Sequence, residues 1–199
     1  VNGLIAGLDL TEPADLEKLT FYRASKAILE GCVDYIRRYA DLAGEMARAC
    51  ADPARQKELY GIAETCESLT EYPPRTFIEA LQCVWFVHVI LHIESNGHSL
   101  SLGRFDQYLY PFYERDIRSG ALTEEMAKEY VGCFFLKAFG NNKLRSWGTT
   151  RTQLGYPTYQ NMCFGGQTKD GRDATNAFSH LCLEVLGEIR LPEPNFYIR

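Results

Sequence analysis

Apolar residues recur at three- and four-residue intervals along most of this chain, the spacing of one face of an α-helix. From about residue 21, Ile28, Leu29, Cys32, Val33, Ile36, Tyr39, Ala43, Met46 and Cys50 fall on one face, which predicts a long helix after a weakly patterned lead-in. That helix should end near Asp52-Pro53, because proline disfavours the α region in the residue before it. Pro53 can then open a second helix with Asp52 as its cap. Leu59, Ile62, Ala63, Cys66 and Leu69 form its apolar stripe. Pro73-Pro74 breaks the chain again. Residues 77–93 are apolar nearly all round, which predicts a deeply buried helix that Gly97 stops.

A loop containing Gly103 follows, then an aromatic segment over 105–113 interrupted by Pro111. Thr123 is placed to cap another helix, with Glu124 and Glu125 favourable against the dipole of its first turn, running to about Gly140. Residues 141–157 carry Gly148, Gly155 and several hydroxyls and read as an irregular loop. A short strand over 159–164 ends at Gly165-Gly166, a helix spans about 175–189, and 195–198 begins another strand. The pattern is mainly α with a few β-strands and no internal repeat. Its strand-helix-strand end is compatible with a larger α/β barrel, in which parallel strands need crossover helices.

Composition narrows the partners. The 199 residues carry a formal net charge of -5 with 46% hydrophobic and 24% charged residues, an ordinary globular balance. Lys and Arg form no cluster, which argues against a nucleic-acid or anionic-membrane surface. No apolar run is expected to reach the roughly 18 residues of a membrane span, and no charged-then-apolar leader opens the chain; in a complete chain both would mean a cytoplasmic protein. The seven cysteines stand singly, mostly in apolar helical patterns and without a Cys-x-x-Cys pair. They are expected to be reduced, buried thiols rather than disulfide or zinc ligands. A start at Val1 and an end inside a strand pattern suggest a piece of a longer protein.

The chemistry-bearing stretch is 94–113. A buried helix ends there and delivers Ser95, Asn96, His98, Ser99 and Ser101 within a few residues. Polar groups at the mouth of an apolar core are what a small polar ligand needs for orientation, and His98 and Ser99 can both hydrogen-bond a hydroxyl or carboxylate. The competing reading is that these side chains cap the helix and tie down the loop. His88, His92 and Glu94 have a spacing that could hold a metal, which would make the chain a metal-dependent helical enzyme; on an apolar helix, hydrogen-bonded core histidines are the better reading. Arg104 and Asp106 read as an ion pair or loop anchor, His180 sits in an otherwise ordinary helix, and the aromatics of 105–113 read as core. A stand-alone helical binding module without chemistry is the remaining alternative.

Glu94-Ser95-Asn96-Gly97-His98-Ser99, then Gly103-Arg104-Phe105-Asp106-Gln107-Tyr108 with Tyr110-Pro111, resembles the glycyl radical enzymes of the pyruvate formate-lyase-like type. The likeness is to their glycerol and diol dehydratase branch, with hydroxyproline dehydratases similar there too. Asn142-Lys143-Leu144-Arg145-Ser146, Tyr159-Gln160-Asn161, Gly165-Gly166-Gln167 and Pro194-Asn195-Phe196 match in register. The resemblance implies a fragment of a ten-stranded α/β barrel with His98 and Ser99 in the substrate pocket. It further implies a carbon-oxygen lyase (dehydratase) of anaerobic metabolism acting on a small polyol or hydroxylated amino acid. No cofactor would be bound by these residues. The parent would carry a glycyl radical, installed by an S-adenosylmethionine-dependent activating enzyme, and would be a homodimer. The family's thiyl and glycyl radical loops are not found here, so these residues alone are expected to be inactive. Gly31-Cys32-Val33-Asp34 imitates the thiyl motif but falls in the apolar stripe of a helix.

Overall fold

The computed structural model describes residues 1–95, 97–152 and 158–199; Asn96 of the site motif, and the end of the predicted loop with Gly155, lie outside them. The chain forms two compact units, 1–73 and 74–199.

The first unit is helical: α1 (Asn2–Ala6), α2 (Pro13–Ala49) and α3 (Pro53–Glu71). Pro13 occupies the first turn of α2, so that helix begins earlier than its apolar pattern suggested. The Asp52 side chain accepts a 3.0 Å bond from the Ala54 amide and caps α3 as predicted. The three-residue link sends α3 back along α2, and Gln56 Nε2 donates to Ala47 O at 2.9 Å across the turn. The buried face of α2 is Ile36, Ala40, Ala43 and Ala47, met by Leu59 and Cys66 of α3. Alanines let the two backbones approach closely, which excludes most of the larger predicted stripe. Ile28, Leu29, Tyr39 and Met46 are exposed.

The second unit comprises α4 (Phe77–Ser95), β1 (Ser101–Arg104), α5 (Phe105–Ser119), α6 (Glu124–Phe139), α7 (Trp147–Thr152), β2 (Asn161–Phe164), α8 (Ala177–Ile189) and β3 (Asn195–Ile198). The strands pair in parallel in the order β1-β2-β3. β1 was not anticipated: Gly103, at φ +65°, sits where the register with β2 shifts, which hides a four-residue strand. Met162, Phe164 and Phe196 face a core built on Phe77, Phe105, Phe135 and Phe178. Asn161, Cys163 and Tyr197 occupy the opposite face and are half-buried or exposed.

Two expectations are corrected in α4. The helix is long and apolar enough, by length and composition, to cross a membrane. Phe77, Ala80, Leu81 and Phe86 nevertheless pack into the core, and buried Glu79 and His88 are hydrogen-bonded, the signature of a core helix. Burial is also one-sided, since Val87, Leu91 and Ile93 are exposed. The cysteines depart from expectation in the same way: Cys66 and Cys182 are buried, whereas Cys133 is exposed and the other four are intermediate.

Candidate functional site

The site forms where the three strands begin. His98 and Ser99 precede β1, Thr158 and Tyr159 precede β2, and Glu193 precedes β3. Parallel pairing therefore collects residues up to 95 positions apart along one edge of the sheet.

Above that edge α4 closes against Gly97. The Gly97 amide donates to His92 O at 3.0 Å, and a Cβ at Gly97 would lie 1.8 Å from His92 Nδ1, so only glycine fits. His92 Nε2 lies 3.1 Å from His88 Nε2, and His88 Nε2 lies 2.6 Å from Gln160 Oε1. Gln160 spends its amide nitrogen on Ala138 O at 2.7 Å and Thr158 Oγ1 at 2.8 Å. Its Oε1 must then accept, which assigns the donor to His88 Nε2 and leaves His92 Nε2 as an acceptor. Burial holds both imidazoles neutral: it lowers the pKa of His88, and with the neighbouring His88 and Lys143 brings that of His92 to about 4. His88 is a hydrogen-bonded core histidine, and half-buried His92 is hydrogen-bonded to it. Among the described residues no group of three or more His, Cys, Asp or Glu side chains is placed to hold a metal ion.

His98 and Ser99 are exposed, and the His98 ring meets the Tyr159 ring edge-on at 5.2 Å. The Ser99 amide donates to Thr158 O at 2.8 Å. Ser99 (φ +60°) and Tyr159 (φ +54°) are both left-handed without being glycine, a conformation costing about 1–2 kcal/mol per residue. Such backbone persists only where the surroundings over-determine it. The restraint comes from Glu193, a buried carboxylate whose Oε1 accepts from the Tyr159 amide at 2.9 Å. Its Oε2 accepts from the Thr158 amide at 3.1 Å and hydroxyl at 3.3 Å. Tyr159 and Glu193 were not recognised from sequence as site residues. The one local signal was a charged residue set between two prolines, Pro192-Glu193-Pro194, at a strand start.

The opposite edge is occupied by anchors. Arg104 Nη2 donates to Gly165 O at 2.8 Å, and fully buried Asp106 accepts from the Gly165 amide at 2.7 Å and from the Ser179 hydroxyl. The loop-anchor reading of both residues thus fits their contacts. Gly31-Cys32-Val33-Asp34 lies within α2 and cannot serve as a loop.

The family model described as pyruvate formate lyase-like matches residues 2–199. Over 196 residues the chain is 41% identical to the probable dehydratase YbiW of Escherichia coli (strain K12), covering 96% of this chain and 24% of that protein. It is 37% identical over 199 residues to the isethionate sulfite-lyase of Bilophila wadsworthia (strain 3_1_6), covering 98% and 24%. Among solved structures, the glycerol-bound form of the B12-independent glycerol dehydratase from Clostridium butyricum superposes with a TM-score of 0.93 at 37% identity, covering all of this chain and 25% of that one. The chain spans about a quarter of the length of the relatives it matches.

Proposed function

This chain belongs to the pyruvate formate lyase-like family, and on that premise we propose that it is the substrate-binding part of a glycyl radical dehydratase acting on a small polyol or hydroxylated amino acid. The observation that carries the reading is the exposed pair His98 and Ser99, set against Tyr159 at the start of the strands. It occurs in a chain that superposes on a glycerol-bound dehydratase. The imidazole and the hydroxyl can each hold a substrate hydroxyl; the left-handed backbone of Ser99 and the ring of left-handed Tyr159 against His98 position them before the substrate arrives. The glycyl radical chemistry of such enzymes removes a hydrogen atom from substrate carbon. The residues here bind and orient the substrate for that step, and the radical-bearing loops belong to other segments of the full-length enzyme. The reading includes completion of the three parallel strands into the family's ten-stranded barrel, an S-adenosylmethionine-dependent activating enzyme, a homodimer and a cytoplasmic location. Scattered single cysteines support the location.

The similarity to isethionate sulfite-lyase favours a second reading, cleavage of a carbon-sulfur bond at the same pocket. Full-length enzyme, activated under anaerobic conditions and offered glycerol, 1,2-propanediol, trans-4-hydroxy-L-proline and isethionate, separates the two. Loss of water from a hydroxylated substrate, weakened at least about tenfold by His98→Ala, supports the dehydratase. Sulfite release supports the alternative. No turnover of any of the four by enzyme with a full glycyl radical signal would refute both.

A further inference from the structure

We infer that Glu193 is a positioning residue for this site: its carboxylate sets the Thr158-Tyr159 backbone and, through it, the orientation of His98 and Ser99. The inference rests on the reading of His98 and Ser99 as the substrate pocket. The three strand starts are joined in series. Ser99 N–H donates to Thr158 O, Thr158 and Tyr159 N–H donate to Glu193, and Asn195 N–H donates to Gln160 O at 2.7 Å. Glu193 supplies the side-chain acceptor of that series, whose amides and carbonyls are peptide groups; the Thr158 hydroxyl also donates to it, and the Ser101 hydroxyl adds a bond to Asn161 O at 3.2 Å between β1 and β2. It is also the group that takes two successive amides from the left-handed turn, as an anion-binding concavity would, with the anion built into the fold.

The connection to the pocket is short. Tyr159 N–H on Glu193 Oε1 fixes the peptide that aims the Tyr159 ring, and that ring contacts His98. Thr158, held on its amide side by Oε2, offers its carbonyl to Ser99. Removing the carboxylate frees the buried Thr158 amide and the part-buried Tyr159 amide and releases a backbone that is unfavourable on its own. His98 and Ser99 would then sample several orientations. A displacement of about 1 Å in a reacting site can lower the rate about 100-fold without touching the reacting groups.

The test is a double-mutant cycle in the full-length, activated enzyme, with the substrate it turns over best among the four compounds above. His98→Ala, Glu193→Ala and the double variant are compared in kcat/KM per glycyl radical, counted by electron paramagnetic resonance. Glu193→Ala should lower kcat/KM by about 10- to 100-fold at unchanged radical content. The double variant should fall short of the product of the two single losses by about threefold or more, because a positioning residue has less to position once His98 is gone. Glu193→Gln keeps one acceptor oxygen and should lie between wild type and Glu193→Ala; it replaces the alanine variant in the cycle if that variant takes up no radical. Losses that multiply in full, or a Glu193 variant as active as wild type, would overturn the positioning role and leave the pocket reading intact. A His98→Ala enzyme with wild-type kcat/KM would sink the pocket reading, and the positioning role with it.

Discussion

Removing the Asp106 side chain leaves two buried donors without an acceptor. Its Oδ2 takes the Gly165 amide at the end of β2 and the Ser179 hydroxyl in α8. Its backbone carbonyl takes Asn176 Nδ2 at 3.4 Å, a contact that any substitution keeps. The residue is fully buried, so both donors lie away from bulk water. An orphaned buried donor costs about 1–3 kcal/mol. The Ser179 hydroxyl can rotate, whereas the Gly165 amide is fixed by a left-handed glycine (φ +70°). Adding the packing lost around the missing atoms, Asp106→Ala should destabilise the 74–199 unit by about 3–5 kcal/mol.

Asp106→Asn separates the acceptor from the shape. Asparagine keeps a carbonyl oxygen for Gly165 and Ser179 and places its NH2 where Oδ1 sits, an atom with no hydrogen-bond partner among the described residues. The cost is then one unsatisfied amide, about 1 kcal/mol. Both tryptophans, Trp85 and Trp147, lie in residues 74–199, so urea unfolding followed by tryptophan fluorescence reports this unit. At a slope of about 1–3 kcal/mol per molar urea, the alanine midpoint should drop by about 1–3 M and the asparagine midpoint by under about 1 M. Amide exchange at Gly165 should accelerate in the alanine variant far more than in the asparagine variant. Equal midpoints for the two variants would refute the assignment of Asp106 as the acceptor that holds the β2-α8 turn.

Gly97→Ala would drive a Cβ into the His92 ring and break its contact with His88, at a cost of about 1–3 kcal/mol. The same unfolding assay should show it, together with shifted imidazole resonances, and an unchanged midpoint would mean that the ring has room to move. The two histidines also predict a pH dependence. Their folded pKa values lie below the unfolded value of about 6.5, at about 4 for His92. The unfolded chain therefore takes up protons that the folded chain refuses. Stability should be level above about pH 6.5 and fall as the pH drops towards 4, with a His92 share of about 1–2 kcal/mol after discounting its shift for partial exposure. A urea midpoint constant from pH 7 to 5 would contradict this.

What was legible in the sequence was local. Asp52 and Thr123 bind amides two and three residues away, so the starts of α3 and α6 could be read from their neighbours. The apolar periodicity of α2 was real, but a period identifies a face without saying whether anything covers it. Ile36 is covered, whereas Ile28 and Met46 are not. β1 escaped because four residues with a glycine carry little pattern, and its partner Asn161 lies 60 residues on from Ser101. The same distance hid half of the site. His98 and Ser99 stood out as polar groups ending an apolar helix, while Tyr159 and Glu193 join them only through strand pairing.

The two edges of the sheet divide the work, and this explains why the candidate site lies where it does. In open parallel sheets ligands bind beyond the carboxyl ends of the strands. Here that edge is occupied: Arg104 and Asp106 both grip Gly165, and Gly166 N–H donates to Arg199 O at 2.9 Å. A ligand there would have to displace anchors that hold β1, β2 and β3 together. At the amino edge, the buried Glu193 carboxylate and the Ser101 hydroxyl, which donates to Asn161 O at 3.2 Å, join the strand starts through hydrogen bonds to their backbone, and His98, Ser99 and Tyr159 keep exposed surface. Strained backbone, accessible polar groups and a buried anchor beneath them occur together at that edge. A fold that needed these residues only for its own stability would have no use for left-handed Ser99 and Tyr159, since glycine would meet the same turns without the strain.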